Sequence, residues 1–226
     1  MKNKQVLRVL LYATGLVILA FGLVLNTKTG LGTSPLVSIG YCLAQFLPLS
    51  FANATFIIYV LFVAIEIIIH LIRNQKAQAL KDLLQLPFSL IFTRFMGLFD
   101  GLIPLLTEES GALWGSVWMR IILLLAAIVF IGTGACFSVR MRLIPNPGDG
   151  VVLAISDFTK KKLGTVKIIF DVANVIIACV ISLIAKGTVL GVGIGTVIAM
   201  LGVGRVMNKM ADFLSPVLQK TQVGLE

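Results

Sequence analysis

The sequence predicts an all-α polytopic membrane protein in which six spanning helices and two re-entrant half-helices form two inverted-topology repeats. Three observations carry this reading. Of 226 residues, 58% are apolar and 13% charged, where soluble domains hold about 45–50% and about 25%. Six apolar stretches, at about 6–25, 54–72, 83–106, 113–137, 166–185 and 188–207, each approach the roughly 20 residues that cross a hydrocarbon core about 30 Å thick. Two further stretches, 27–49 and 138–158, open on loop chemistry, LGTSP and IPNPGDG, whose glycines and prolines break a helix.

This composition excludes a soluble enzyme of the same length. The excess of 19 Lys and Arg over 10 Asp and Glu would suit nucleic acid in a soluble chain. Here the bases fall in short loops and set topology, so the lipid bilayer is the expected partner and nucleic acid is not. Cys42, Cys136 and Cys179 are odd in number, lie in apolar stretches and lack C-x-x-C spacing, which indicates neither a disulfide framework nor a zinc site.

The first span follows Lys2, Lys4 and Arg8; its length and the lack of an A-x-A-like exit mark a retained helix rather than a secretory signal. The eight residues 27–34 are rich in Gly, Thr and Ser, and an extended path of that length covers about 26 Å, enough to reach the membrane midplane. Pro35 then suits a first helical turn, capped by Ser34 or Thr33, and a half-helix runs to about Phe46. The second span carries Glu66 near its inner end, where a long side chain can snorkel, and His70, the sole histidine, read as interfacial. The third carries Arg94, Asp100 and the series Phe88, Phe92, Phe95 and Phe99, read as a lipid-facing side. The fourth begins beside Trp114 and Trp118, at the depth indoles prefer.

In the second broken segment Asn146 caps, Pro147 fits the first turn, and Gly148 and Gly150 allow close approach. Its half-helix returns to Lys160, Lys161 and Lys162. The fifth span puts Asp171 and Asn174 on one face. Gly187, Gly191, Gly195 and Ala199 give the sixth a smooth strip for packing within the chain or, as the alternative, for a homodimer.

Loop charge decides between crossing and re-entry. If both broken segments cross, 11 bases fall inside and 7 outside. If both return to the side they entered from, 15 fall inside, and Lys28, Arg120 and Lys186 are the 3 outside. Cytoplasmic loops retain Lys and Arg, so re-entry is predicted, with both termini in the cytoplasm of a plasma-membrane protein and Glu108 and Glu109 outside. An offset of 112 residues lays Gly22 on Gly134, Leu31 on Leu143, Pro35 on Pro147, Phe46 on Phe158 and Ile57 on Ile169, which aligns both loop motifs. The repeats are then 1–110 and 111–226 within one membrane domain. Each holds a span, a re-entrant segment and two more spans, and the odd number of crossings inverts the second. The competing reading makes LGTSP and NPGDG ordinary turns between short spans.

Irregular backbone at membrane depth is tolerated only where it is buried in protein or lines a watery cavity. Inverted halves aim two half-helix N-termini, each with free N–H groups and partial positive charge, at one midplane space. Thr33, Ser34, Asn146, Gly148 and Asp149 are the residues expected to bind a small-molecule solute there, polar or anionic. Ionisable groups inside spans cost at least about 2.5–3.5 kcal/mol unless paired or hydrated. On that ground Asp171 and Glu66 are proton-coupling candidates, the alternative for Asp171 being a structural ion pair with Arg94. No Walker loop, H-E-x-x-H or G-x-S-x-G occurs, so neither an enzyme, a cofactor nor a metal is expected. The reading is a membrane transporter or channel, open to proton coupling; the alternative is a non-transporting membrane partner, either a substrate-capturing subunit or a scaffold for a membrane-bound complex.

The LGTSP turn after a Gly-bearing first span, with a Pro-Gly-Asp-Gly turn half a chain later, resembles the bacterial YczE/YyaS/YitT family of integral membrane proteins over nearly the whole chain. That family often follows its Ser-Pro with an aromatic residue and Asp, where Leu36 and Val37 stand here, and Asp149 alone keeps an acidic position. The resemblance implies a small multipass protein of the cytoplasmic membrane and says little about a substrate.

Overall fold

The computed structural model describes residues 2–106, 110–141 and 143–221, so the expectations placed on Glu108, Glu109 and Arg142 lie outside it. Among the described residues every regular element is helical. The order is α1 (Lys2–Lys28), a single 3-10 turn (Pro35–Val37) leading into α2 (Ser38–Ala44), α3 (Phe51–Ile72), α4 (Lys76–Asp82), α5 (Gln85–Leu102), α6 (Val117–Arg140), α7 (Pro147–Thr159), α8 (Leu163–Lys186) and α9 (Ile194–Thr221). Five segments are long and apolar enough to cross a membrane: Gln5–Lys28, Phe51–Ile72, Lys76–Leu102, Val117–Arg140 and Leu163–Lys186. Their outer faces keep large apolar side chains exposed, among them Ile72, Ile122, Ile168 and Ile184, as a protein solvated by lipid requires. The chain is built as a helical membrane protein.

The axis of the fold is the pairing of α1 with α6. Arg8 Nε donates to the Met141 carbonyl at 2.6 Å, Tyr12 Oη to the Ile144 carbonyl at 2.7 Å, and at the other end Arg120 Nε to the Thr29 carbonyl at 2.7 Å. The two helices therefore run antiparallel. Glycine lets them touch: a Cβ on Gly22 would stand 2.7 Å from Ile131 N, and one on Gly134 2.5 Å from Leu19 N, closer than any side chain survives without backbone movement.

One end of the bundle gathers the start of α1, the end of α3, α4, the start of α5 and the end of α7, as the Tyr12–Phe88 edge contact and the Arg73–Asp157 approach at 4.0 Å show. The opposite end joins the end of α1 to residue 106 and to the α8–α9 turn, through Leu106 N to the Lys28 carbonyl (2.8 Å) and Gly195 N to the Leu31 carbonyl (2.8 Å). Lys28 pairs there with Asp100 at 2.9 Å. Between the ends lie the two short proline-headed helices. At about 1.5 Å per residue neither is long enough to cross the hydrocarbon core.

Two expectations about helix faces change in the folded chain. The Phe series on α5 does not face lipid as a stripe: Phe92 is buried and stacked on Tyr59, and Phe99 meets Phe21 edge-on. Phe88 and Phe95 stay exposed, so the series divides between the packed seam with α1 and α3 and the outer face. The glycine strip is not one helix face either, because Gly187 and Gly191 take positive φ of 70° and 72° and hold the chain in a turn until α9 starts at Ile194. Gly191 receives the Tyr41 ring, Gly195 abuts the Leu31 carbonyl, and Ala199 is buried with Leu124 and Ile128. Gly191, Gly195 and Ala199 thus pack inside the chain, whereas Gly187 meets nothing within 4 Å.

Candidate functional site

Both short helices start with the same backbone. Ser34, at φ −64° and ψ 139°, precedes Pro35, and Asn146, at φ −63° and ψ 140°, precedes Pro147. Extended dihedrals before a proline, followed by a first turn that needs no N–H, make an abrupt helix start at each. Asn146 Oδ1 accepts from Gly148 N at 3.1 Å and closes the cap, whereas Ser34 makes no side-chain cap bond. The tips converge: a Cβ on Gly148 would collide with Leu36 Cδ1, so Leu36 sits in the notch that Gly148 leaves.

That contact is apolar, and it corrects the expectation of a shared hydrated space between the tips. Of the residues expected around it, Thr33 turns away, its N–H and Oγ1 both donating to the Gly191 carbonyl at 2.8 and 2.9 Å. Ser34 is buried, and Gly148 is covered by Leu36. Polar chemistry lies beside the plug instead. Asp149, in the first turn of α7, is within electrostatic reach of Lys167 and Asp171 on α8, and Lys167 Nζ donates to Asp171 Oδ1 at 2.6 Å. The Tyr59 hydroxyl is buried close to Asn146 and Asp149 without a hydrogen bond of good geometry. Asn174, on the Asp171 face, donates through Nδ2 to the Phe170 carbonyl at 2.9 Å.

The ion pair foreseen between Asp171 and Arg94 does not form. Asp171 takes Lys167, one helical turn away on α8 itself, while Arg94 is exposed on α5 and makes no ion pair among the described residues. The spacing of four residues favours the local partner.

A cavity lies to either side of the tip contact. One, of about 220 Å³, is bounded by Thr33, Tyr41 and the 189–193 turn. The other, of about 600 Å³, opens between α3, α4 and α7 and is lined by Glu66, His70, Gln75, Gln78, Lys81 and Asp157 among others. Its floor is polar and buried. Glu66 Oε2 accepts from Gln85 Nε2 at 2.9 Å, and His70 Nδ1 meets Asp82 Oδ2 at 2.6 Å. Gly150 admits this group: a Cβ there would stand 2.5 Å from Glu66 Oε2. Glu66 therefore does not snorkel; it and His70, two residues from the end of α3, are 3% and 6% exposed and point into the protein.

Asp82 and Gln85 are not among the sequence candidates; the turn at Asn74 folds α4 back along α3 and brings both residues to Glu66 and His70. The spacing of Glu66 and His70, four residues apart on one helical face, was the available signal. No curated protein and no solved structure is detectably similar to this chain. Residues 6–212 match one family, and the chain belongs to it: DUF6198, a family of unknown function.

Proposed function

We propose that the protein is a membrane transporter or channel for a small polar or anionic solute, with α1, α3, α5, α6, α8 and α9 as six spans and the two proline-headed helices re-entering from opposite faces. The observation that carries this reading is the meeting of the two tips, Leu36 on Gly148, with a cavity on each side. An apolar knob between two cavities is a closed gate, and the polar groups beside it, Asp149, Asn146, Tyr59 and the Lys167–Asp171 pair, are what a solute meets when the tips part.

Inverted repeats are supported by contacts that exchange under the 112-residue offset. Gly22 against Ile131 becomes Gly134 against Leu19, and α1 packs on α5 as α6 packs on α9, while α3 packs on α7 as α8 packs on α2. Antiparallel α1 and α6 need an even number of crossings between them, which α3 and α5 supply only if Pro35–Ala44 returns to its own side. The end holding Arg8, Arg73, Lys76, Lys81 and Lys160–162 faces the cytoplasm, by the rule that basic loops stay inside. Transport rocks one half on the other, and Asp171, buried beside the gate, is the group that exchanges a proton.

Liposomes holding the purified protein, challenged with a panel of labelled small polar and anionic solutes, test the reading. Uptake above that of protein-free liposomes is expected, with uptake driven by a pH gradient lost in Asp171→Asn. Binding without flux would overturn it in favour of a substrate-capturing subunit. In a variant lacking the native cysteines, Cys introduced at Lys76 and at Lys161 should react only from the cytoplasmic side; labelling of the Lys76 position from outside would overturn the six-span topology.

A further inference from the structure

We propose that Glu66, His70 and Asp82 bind a divalent first-row transition-metal ion, at the floor of the cavity between α3, α4 and α7. The proposal is independent of any transport activity.

Four observations support it. The three ligand atoms, two carboxylate oxygens and an imidazole nitrogen, all lie within 4.8 Å of one another, and all three residues are buried. A tetrahedral ion with bonds of about 2.0–2.2 Å holds its ligands about 3.4 Å apart, so small side-chain movements complete the site. Glu66 and His70 share a face of α3, and the Asn74 turn, at φ 58°, reverses the chain so that α4 delivers Asp82 to the same spot.

The second observation is an orphaned acceptor. Gln85 is 1% exposed, and its Oε1 has no hydrogen-bond partner. Its Nε2 is already given to Glu66, and Oε1 faces the same side of Gly150 as Glu66 Oε2, the two lying 3.0 and 2.5 Å from where a Cβ would stand. At the cavity floor two buried carboxylates and a lone amide oxygen share only Gln85 Nε2 and the His70 ring as hydrogen-bonding partners, with Lys81 further out on the wall. Burying such groups without a compensating charge is costly, and a divalent cation supplies that charge.

Third, the donor set selects the class of ion. Imidazole with carboxylates suits zinc, manganese or iron, whereas calcium and magnesium prefer all-oxygen shells. Fourth, the support and the access route are both present. Gln85 Nε2 holds the Glu66 carboxylate in place, as partners of ligating carboxylates do, and the cavity of about 600 Å³ gives the ion a way in and leaves a coordination position for water. Binding displaces the proton shared by His70 Nδ1 and Asp82 Oδ2, which leaves to solvent.

The test uses the full-length, tag-free protein in detergent, stripped with a chelator and titrated with Co²⁺, then with Zn²⁺. Expected are one Co²⁺ per chain with visible d–d bands, displacement by Zn²⁺, and no competition from excess Mg²⁺ or Ca²⁺. His70→Ala should abolish the bands, and Gln85→Ala should weaken binding by about tenfold while leaving one ion per chain. Asp82→His keeps three ligands and is expected to retain the ion with an altered Co²⁺ spectrum, which separates lost coordination from lost folding. Absence of stoichiometric Co²⁺ or Zn²⁺ in the wild type, or equal binding by folded His70→Ala, would overturn the site and leave the cluster a proton-sharing network.

Discussion

The two proline-headed segments begin with the same dihedrals and end as different objects. The first is a single 3-10 turn followed by seven α-helical residues, and it is held by backbone proximity: a Cβ on Gly40 would stand 2.8 Å from Thr55 Cα. The second is a thirteen-residue helix with a closed Asn146 cap and Asp149 in its first turn, and it is held through side chains, Glu66 reaching the space that Gly150 leaves. One tip offers a leucine and the other a glycine notch flanked by polar groups. Equal backbones with unequal side chains turn a symmetric start into a knob and a socket, which two copies of either tip could not form.

That contrast can be broken by substitution. Leu36→Ala empties the socket on Gly148 and should cost about 2–3 kcal/mol, read as a lowered melting midpoint in detergent, together with increased solute leak in liposomes. A melting midpoint unchanged by this substitution would mean the tips do not support each other. Gly40→Ala should cost about 2 kcal/mol, because the added methyl meets Thr55 backbone that has no room to yield; Gly97→Ala, whose nearest neighbour is the Ala52 Cβ at 3.3 Å, is the milder control.

Smaller effects sharpen the same comparison. Asn146→Ala removes a formed cap bond and should lower stability by about 1 kcal/mol. Ser34→Ala removes no cap bond and should change it by less than about 0.5 kcal/mol. Equal losses for the two would show that both caps act in the membrane and would remove the asymmetry between the segments.

Much of the helical skeleton was legible. The runs that became α1, α3, α5, α6 and α8 were marked by apolar length alone, and both half-helices were placed within a few residues by Pro35 and Pro147, because a proline fixes a first turn wherever it falls. α9 starts at Ile194, several residues after the apolar run at 188 begins, since a glycine at positive φ and a glycine in a helix look alike in one dimension. The candidate site was legible only in part. Asn146 caps its helix and the tips meet, but nothing in the local pattern around Leu36 marks it as the residue that fills the meeting point.

Apolar run length, loop charge and proline position are local or additive properties, so the sequence by itself determined that this is a helical membrane protein with two interrupted segments. Which polar side chains face one another is a property of distances between segments. Asp171 with Lys167 rather than Arg94, Thr33 with Gly191, and Glu66 and His70 with Gln85 and Asp82 were decided only when α1 closed on α6 and α4 folded back on α3. In a medium without water to satisfy them, buried polar groups take the nearest partner that packing brings, and packing is what a linear sequence does not display.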